Sequence, residues 1–382
     1  MRSTAHEPDP LRPTPVRRLA ALIWMATMLA ALTGPAACVH KAPPPTESAP
    51  QPEPTLPVLT AAQRHTLQQQ IFENTKRLEA APTAPDAPAW QVAILTARQQ
   101  TWDPAETRIA LDTLVEAYAP ESAWANANAG NPEALASASS TLERTLRVQA
   151  ATWHNTGRKL RAGPDAAVSL GLAEHAYRAY LDRFPEAAYA TELRYQYAEL
   201  LYKLRKFDEA FDLYMRVVAA DPHGPHAQFC AESAIFAAGE VLKTQATSPD
   251  RRGAPRPLPS AGPVPLTPWQ QRQLDALDQF SRLYPEDPKN RNVTYKAAYL
   301  LYNQNRFKDA AVRFEVAIRM DPASKEAEQA AYLVLDSFSL LGDWESLAHT
   351  AETYAGLETL GSPEFRAELK EISAGAMRKI SE

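Results

Sequence analysis

The sequence predicts an all-α fold, a solenoid of stacked helical hairpins behind a separate N-terminal helical region, and three observations carry that reading. The first is an internal repeat. Residues 191–224 hold two apolar helical stripes joined by a polar turn at Arg205 and Lys206. Tyr197, Ala198 and Leu201 share one helix face, and Ala210, Tyr214 and Val217 share the next, at the spacing of a buried stripe. A hundred positions later the pattern returns: Tyr195 is matched by Tyr295, Ala198 by Ala298, Leu201 by Leu301, Tyr202 by Tyr302, Phe207 by Phe307 and Ala210 by Ala310. The second observation is punctuation. Helices stop at Phe184-Pro185, Asp221-Pro222, Tyr284-Pro285 and Asp321-Pro322, because proline cannot donate the next backbone hydrogen bond. The interval from 185 to 222 equals that from 285 to 322. The third is composition: only 13 glycines against 33 prolines leaves little material for phosphate-cradling loops or tight β-hairpins.

The repeat resembles the tetratricopeptide repeat (TPR). That family's helical hairpin carries a small residue where two helices cross, an aromatic four residues on, a second small residue and a closing proline. Ala210, Tyr214, Val217 and Pro222 stand at those positions in one copy, and Ala310, Phe314, Ala317 and Pro322 in the other. The sequence departs from the family at the early tryptophan, which is Arg194 and Thr294, and at the first-helix glycine, which is Ala198 and Ala298. Alanine still allows close helix approach.

In chain order, residues 1–37 read as a secretion signal. Arg17 and Arg18 precede an apolar run from 19 to 33, and small residues lead to Cys38. The run is shorter than the ~20 residues that span a bilayer. Small residues before a cysteine resemble a lipoprotein processing site, which would make Cys38 a lipidated N-terminus; Pro35 stands where that motif usually has leucine. Residues 38–58 form a proline-rich linker, too poor in apolar side chains to build a core. The helical region at 59–160 opens with helices at 60–80 and 90–100. Asp103, Pro104 and Glu106 then form a start signal in which the aspartate caps and the glutamate reaches back. A loop at 120–130 leads to a long helix at 132–159, and no period is readable in this region. The solenoid proper occupies 161–361, with a proline-rich insert at 244–267 that reads as an excursion from its surface. Residues 362–382 form a capping helix of the kind solenoids require.

Charge narrows the function. The formal net charge is −5, and residues 1–37 carry four arginines against two acids, so the remainder carries −7. No basic stripe is present to neutralise phosphates, which argues against nucleic-acid binding. No phosphate loop, dinucleotide fingerprint or nucleophile elbow occurs, and neither a cofactor nor a small-molecule substrate is predicted. His223 and His226 read as loop polarity rather than metal ligands, Trp153-His154 as a packed aromatic beside a hydrogen-bonded histidine, and Cys230 as a small buried hydrophobe.

The functional expectation therefore rests on aromatic residues. Tyr195, Tyr202, Tyr295, Tyr299 and Tyr302, with Glu199 alongside, fall on the first helices of their hairpins. The TPR resemblance implies that such helices line a concave groove, and tyrosines suit partner recognition because they bury area while keeping a polar tip. Long units ending in Phe-Pro-Glu or Tyr-Pro-Glu behind an export signal are similar to periplasmic TPR proteins of outer-membrane assembly, envelope constriction and gliding motility. That resemblance implies a non-enzymatic scaffold binding envelope proteins or peptides, anchored as an outer-membrane lipoprotein facing the periplasm. The alternatives are an enzyme with a closed polar pocket among residues 90–159, and a purely structural spacer.

Overall fold

The computed structural model describes residues 58–160, 162–246 and 262–382. The predicted signal, Cys38 and most of the proline-rich stretch lie outside the described residues, as does the centre of the insert. Among the described residues the chain is all-α, with fifteen helices: α1 (Ala61–Ala80), α2 (Ala87–Gln100), α3 (Pro104–Ala117), α4 (Ala123–Ala127), α5 (Pro132–Leu160), α6 (Pro164–Arg183), α7 (Ala190–Lys203), α8 (Phe207–Ala220), α9 (Ala227–Ala246), α10 (Pro268–Leu283), α11 (Asn290–Asn303), α12 (Phe307–Met320), α13 (Lys325–Leu341), α14 (Trp344–Ala355) and α15 (Pro363–Ser381). By its internal contacts the chain divides into two units, one spanning 50–241 and the other containing 242–382.

The repeat is larger than a hairpin. Helices α1, α2 and α3 have counterparts in α6, α7 and α8, each starting 103 residues later with the same lengths of 20, 14 and 14 residues. The last two recur a further 100 residues on as α11 and α12. A fixed pair of turns joins them. After α1, α6, α8, α10 and α12, the backbone makes two successive three-residue turns. In α1–α2 these run from Ala84 N–H to Ala81 and from Ala87 N–H to Ala84; in α6–α7, from Ala187 to Phe184 and from Ala190 to Ala187. The residue after the cap is a proline every time: Pro82, Pro185, Pro222, Pro285 and Pro322. Proline fits because no helical partner awaits its missing N–H.

Within four of the hairpins a second turn recurs. Trp102, Arg205, Asn305 and Gly342 take left-handed backbone angles, with φ of 54°, 61°, 56° and 68°. The following N–H reaches five residues back: Asp103 to Arg98, Lys206 to Leu201, Arg306 to Leu301 and Asp343 to Phe338. This closes the exposed carbonyls of the first helix, and only one of the four copies uses glycine, although an ordinary side chain there costs about 1 kcal/mol.

Four sequence expectations are corrected. The region at 59–160 is periodic after all, with Thr107, fully buried and bonded through its hydroxyl to the Asp103 carbonyl, in the slot of Ala210 and Ala310. Leu111 stands in the slot of Tyr214 and Phe314. Glu106 does not reach back to its cap, because the Asp103 N–H is taken by the Arg98 carbonyl; its carboxylate lies 3.4 Å from the Arg98 guanidinium instead. The loop at 120–130 holds α4, fixed by Trp124 Nε1 donating to the Ala84 carbonyl (2.7 Å) and Asn128 Nδ2 to that of Thr83 (2.9 Å). The insert also begins later than 244, since α9 runs to Ala246, and its end is docked: the Val264 N–H donates to the Gln304 carbonyl at 2.8 Å.

The cores form where these helices cross. Ala210, Ala310, Phe314 and Ala198 are fully buried and Tyr214 nearly so. In the α5–α6 hairpin Gly157 lets the helices approach closely, since a Cβ there would sit 2.5 Å from the Leu170 side chain and 3.2 Å from the Ala166 carbonyl and force them to shift. Ala210→Leu and Ala310→Leu are expected to cost about 1–3 kcal/mol each by overpacking. Thermal melts check this against Ala219→Leu, at an exposed position of the same α8; equal melts for all three variants contradict the crossing assignment.

Candidate protein-binding face

Helix α7 exposes one face towards the start of α9. Tyr195 stacks on the His226 ring at 4.0 Å between centroids and 9° between planes, and meets Phe229 edge-on at 5.9 Å. Phe229 is 47% exposed and Phe236, two turns further along α9, 43% exposed. Tyr202, two turns beyond Tyr195, is half-buried against Phe207 at 5.1 Å. Burial, then Glu240 and Glu199, hold its phenol above the ordinary value. The face therefore carries aromatic groups at seven-residue spacing on two helices.

Glu192 and Glu199 line the same strip. Glu199 accepts a hydrogen bond from the buried Tyr214 hydroxyl. Glu192 accepts from Gln196 Nε2 at 2.6 Å and from His226 Nε2 at 2.8 Å. The chain of bonds continues inward, with the Tyr177 hydroxyl donating to Gln196 Oε1 (3.1 Å) and His154 Nδ1 placed 3.0 Å from that hydroxyl. Since Tyr177 donates onward, His154 must donate through Nδ1 to the phenol oxygen. Burial first, then Arg158 and Lys203, lower its pKa to about 4, so the imidazole is neutral near neutrality. The expected pairing of a packed Trp153 with a hydrogen-bonded His154 is thus present: Trp153 is 2% exposed and its Nε1 donates to Gln149 Oε1. His226, read as loop polarity, instead joins α9 to α7.

The matching face of α11, in the other unit, is built differently. Tyr295, Tyr299 and Tyr302 form a ladder with centroids 6.4 and 6.5 Å apart and near-parallel rings. Tyr295 packs edge-on against Phe314 at 5.3 Å. Tyr302 is 5% exposed and its hydroxyl donates to Asp336, so little of it remains to meet a partner. Tyr295 and Tyr299 stay partly exposed. Of the repeat-defining residues, Ala210, Tyr214, Ala310 and Phe314 are core, and Pro222 and Pro322 follow the helix caps.

Cys230 is fully buried, and burial followed by Glu199 and Glu192 pushes its thiol up to about 12, which holds it protonated. A cleft of about 320 Å³ between α3 and α6 is lined by Asp112, Val115, Glu116, His175, Arg178, Ala179, Asp182 and Arg183. His175 Nε2 contacts Asp112, but no serine, cysteine, threonine or lysine lines the cleft, and Asp112 is 41% exposed. This is an open, charged groove. Among the described residues no group of three or more His, Cys, Asp or Glu is placed to hold a metal, and no helix is long and apolar enough to cross a membrane.

No protein-family model matches the chain, and no curated protein does. Among solved structures it is similar to the MamA protein, at 13% identity over 59% of this chain and 94% of that one, with a TM-score of 0.33. It is similar also to the apo form of RapI, at 10% identity over 84% and 98% of the two chains, with a TM-score of 0.29. Yeast Tom70 matches at 12% identity over 83% and 86%, with a TM-score of 0.25.

Proposed function

We propose that the chain is a non-enzymatic protein–protein interaction scaffold of the bacterial cell envelope, binding proteins or peptides through the first-helix faces of its repeats. One observation carries this reading: the Tyr195–His226–Phe229 cluster is held on rigid hairpins yet leaves 47% of Phe229 in water. Aromatic groups fixed in place but uncovered lose little conformational entropy on meeting a partner. Tyr295 and Tyr299 extend the reading to the second unit, with Tyr302 supporting them from beneath. The export signal and Cys38 support placement as an outer-membrane lipoprotein facing the periplasm, with the proline-rich linker giving the folded part its reach.

A photo-crosslinking residue at position 229, used in intact envelopes, is expected to trap a partner protein. Tyr195→Ala should weaken that capture by about 1–2 kcal/mol with an unchanged melt, and Val312→Ala, at an exposed site in the other unit, should not. Metabolic labelling with a fatty acid should mark the wild type and not Cys38→Ala. Undiminished capture by Tyr195→Ala removes this face from the reading, and a mature N-terminus elsewhere than Cys38, without label, removes the anchor.

A further inference from the structure

Resting on the scaffold reading, we infer that the α7–α9 face takes a cationic partner segment, presenting two lysine or arginine side chains about 10 Å apart. The spacing comes from Glu192 and Glu199, seven residues apart on one helix, which at 1.5 Å per residue separates them by roughly 10 Å along the axis. Each carboxylate sits beside an aromatic group, Glu192 by Tyr195 and His226, Glu199 by Tyr202.

What sets these two glutamates apart is how they are held. Elsewhere in the same unit carboxylates meet cations: Glu174 pairs with Lys206 at 2.5 Å and Arg178 at 3.2 Å, and Glu143 with Arg147 at 3.4 Å. Among the described residues no lysine or arginine lies within ion-pair distance of Glu192 or Glu199. Their partners are an amide, an imidazole and a phenol. The amide of Gln196 and the phenol of Tyr214 orient the carboxylates as neutral donors, and each carboxylate keeps unused acceptor capacity, since it offers about four lone-pair sites. A cation arriving there finds fixed negative charge and an aromatic face together, which is the setting for combined ion-pair and cation–π attraction. Arg158 and Lys203 border the strip near His154, and Glu240 borders it on the α9 side. Arg158 also acts on Tyr195, and Phe229 and Phe236 are exposed on the α9 side.

The repeat supplies an internal control. At the positions equivalent to Glu192 and Glu199, α11 has Asn292 and Tyr299, and the position of Tyr214 is held by Phe314. The same hairpin thus packs without either carboxylate. The phenol that orients Glu199 is absent where the glutamate is absent, so the hairpin fold does not require the Tyr214–Glu199 bond.

Fluorescence anisotropy on the full chain in detergent tests the inference. The probe is a labelled alanine-rich helical peptide carrying two arginines seven residues apart, measured in about 150 mM salt, where the Debye length is ~8 Å. The arginine peptide is expected to bind about tenfold or more tighter than its counterpart with two glutamates. Glu192→Gln with Glu199→Gln should abolish that preference while melting is unchanged, because glutamine still accepts from Tyr214 and Gln196. Should the pair perturb the melt, Glu192→Gln alone is expected to remove about half of the preference on a logarithmic scale. Equal binding of the two peptides, or a preference that survives the substitutions, overturns the cationic partner. If position 229 traps a protein that the arginine peptide does not displace, the scaffold reading stands and this inference falls. If the arginine peptide binds as expected and position 229 traps nothing, the face recognises cations and the scaffold reading falls.

Discussion

Trp153→Ala is expected to lower the stability of the unit at 58–241 by about 3–5 kcal/mol, the range for removing a large buried aromatic. Trp153 is among the largest fully buried side chains and reaches Trp102 with ring centroids 5.3 Å apart. Its Nε1 donates to Gln149 Oε1 at 3.0 Å, and Gln149 Nε2 donates in turn to Gln99 Oε1 at 2.8 Å, tying α5 to α2. Removing the indole leaves a cavity and frees a buried amide acceptor, so the packing and polar costs add. Denaturant unfolding read by circular dichroism checks the figure. Trp102→Ala should cost less, since that ring is only partly buried. A Trp153→Ala loss under about 1 kcal/mol contradicts the packing described.

The second large effect depends on pH. The folded-state pKa of His154 is about 4 while an unfolded histidine titrates near 6.5, so the unfolded chain binds more protons between those values. Stability from the neutral imidazole is complete above about pH 6.5 and is lost as pH falls through 4. Discounting for partial exposure, the contribution is about 2 kcal/mol. Unfolding of the wild type should weaken between pH 7.5 and pH 4.5 by about that much more than unfolding of His154→Gln, which can still bond to Tyr177 but does not titrate. Parallel pH profiles for the two proteins dispose of the assignment.

The hairpins were legible in the sequence because the small–aromatic–proline pattern at Ala210, Tyr214 and Pro222 occurs twice with near-identical residues. The first copy was hidden by substitutions that keep the shape and change the chemistry. Thr107 fills an alanine slot by satisfying its hydroxyl locally, and Leu111 replaces an aromatic. Its closing position is Ala119 rather than a proline, and the proline that precedes the hairpin was present but hidden. Pro82 stands 103 residues before Pro185 and makes the same turn, yet Pro85 and Pro88 follow at once, so the stretch reads as a proline-rich loop rather than as punctuation. The left-handed corners at Trp102 and Arg205 were unreadable for a different reason, since no glycine marks them. At the candidate face the tyrosines were visible but their partners were not. His226 lies 34 residues from Glu192, and only the fold brings them to 2.8 Å. One signal was available: Tyr214 and Glu199 differ from Phe314 and Tyr299 together, and a comparison of the two copies would have paired them. Tyr302 shows the opposite limit. It matches Tyr202 in sequence, yet Asp336 stands where α9 has Phe236, and the ring is drawn into the core.

Among the described residues the substantial helix contacts join neighbours in the chain, apart from α2 with α5 and α3 with α6. Such a molecule has little loop-closure entropy to overcome before its contacts form, so its parts can assemble quickly and in any order. The same locality weakens cooperativity. With no long-range lattice to fail at once, segments can open while others stay folded, and a single unfolding free energy need not describe the chain. On the proposed export reading this has a practical meaning: a segment emerging from a translocation channel can fold on its own contacts before the rest of the chain has arrived.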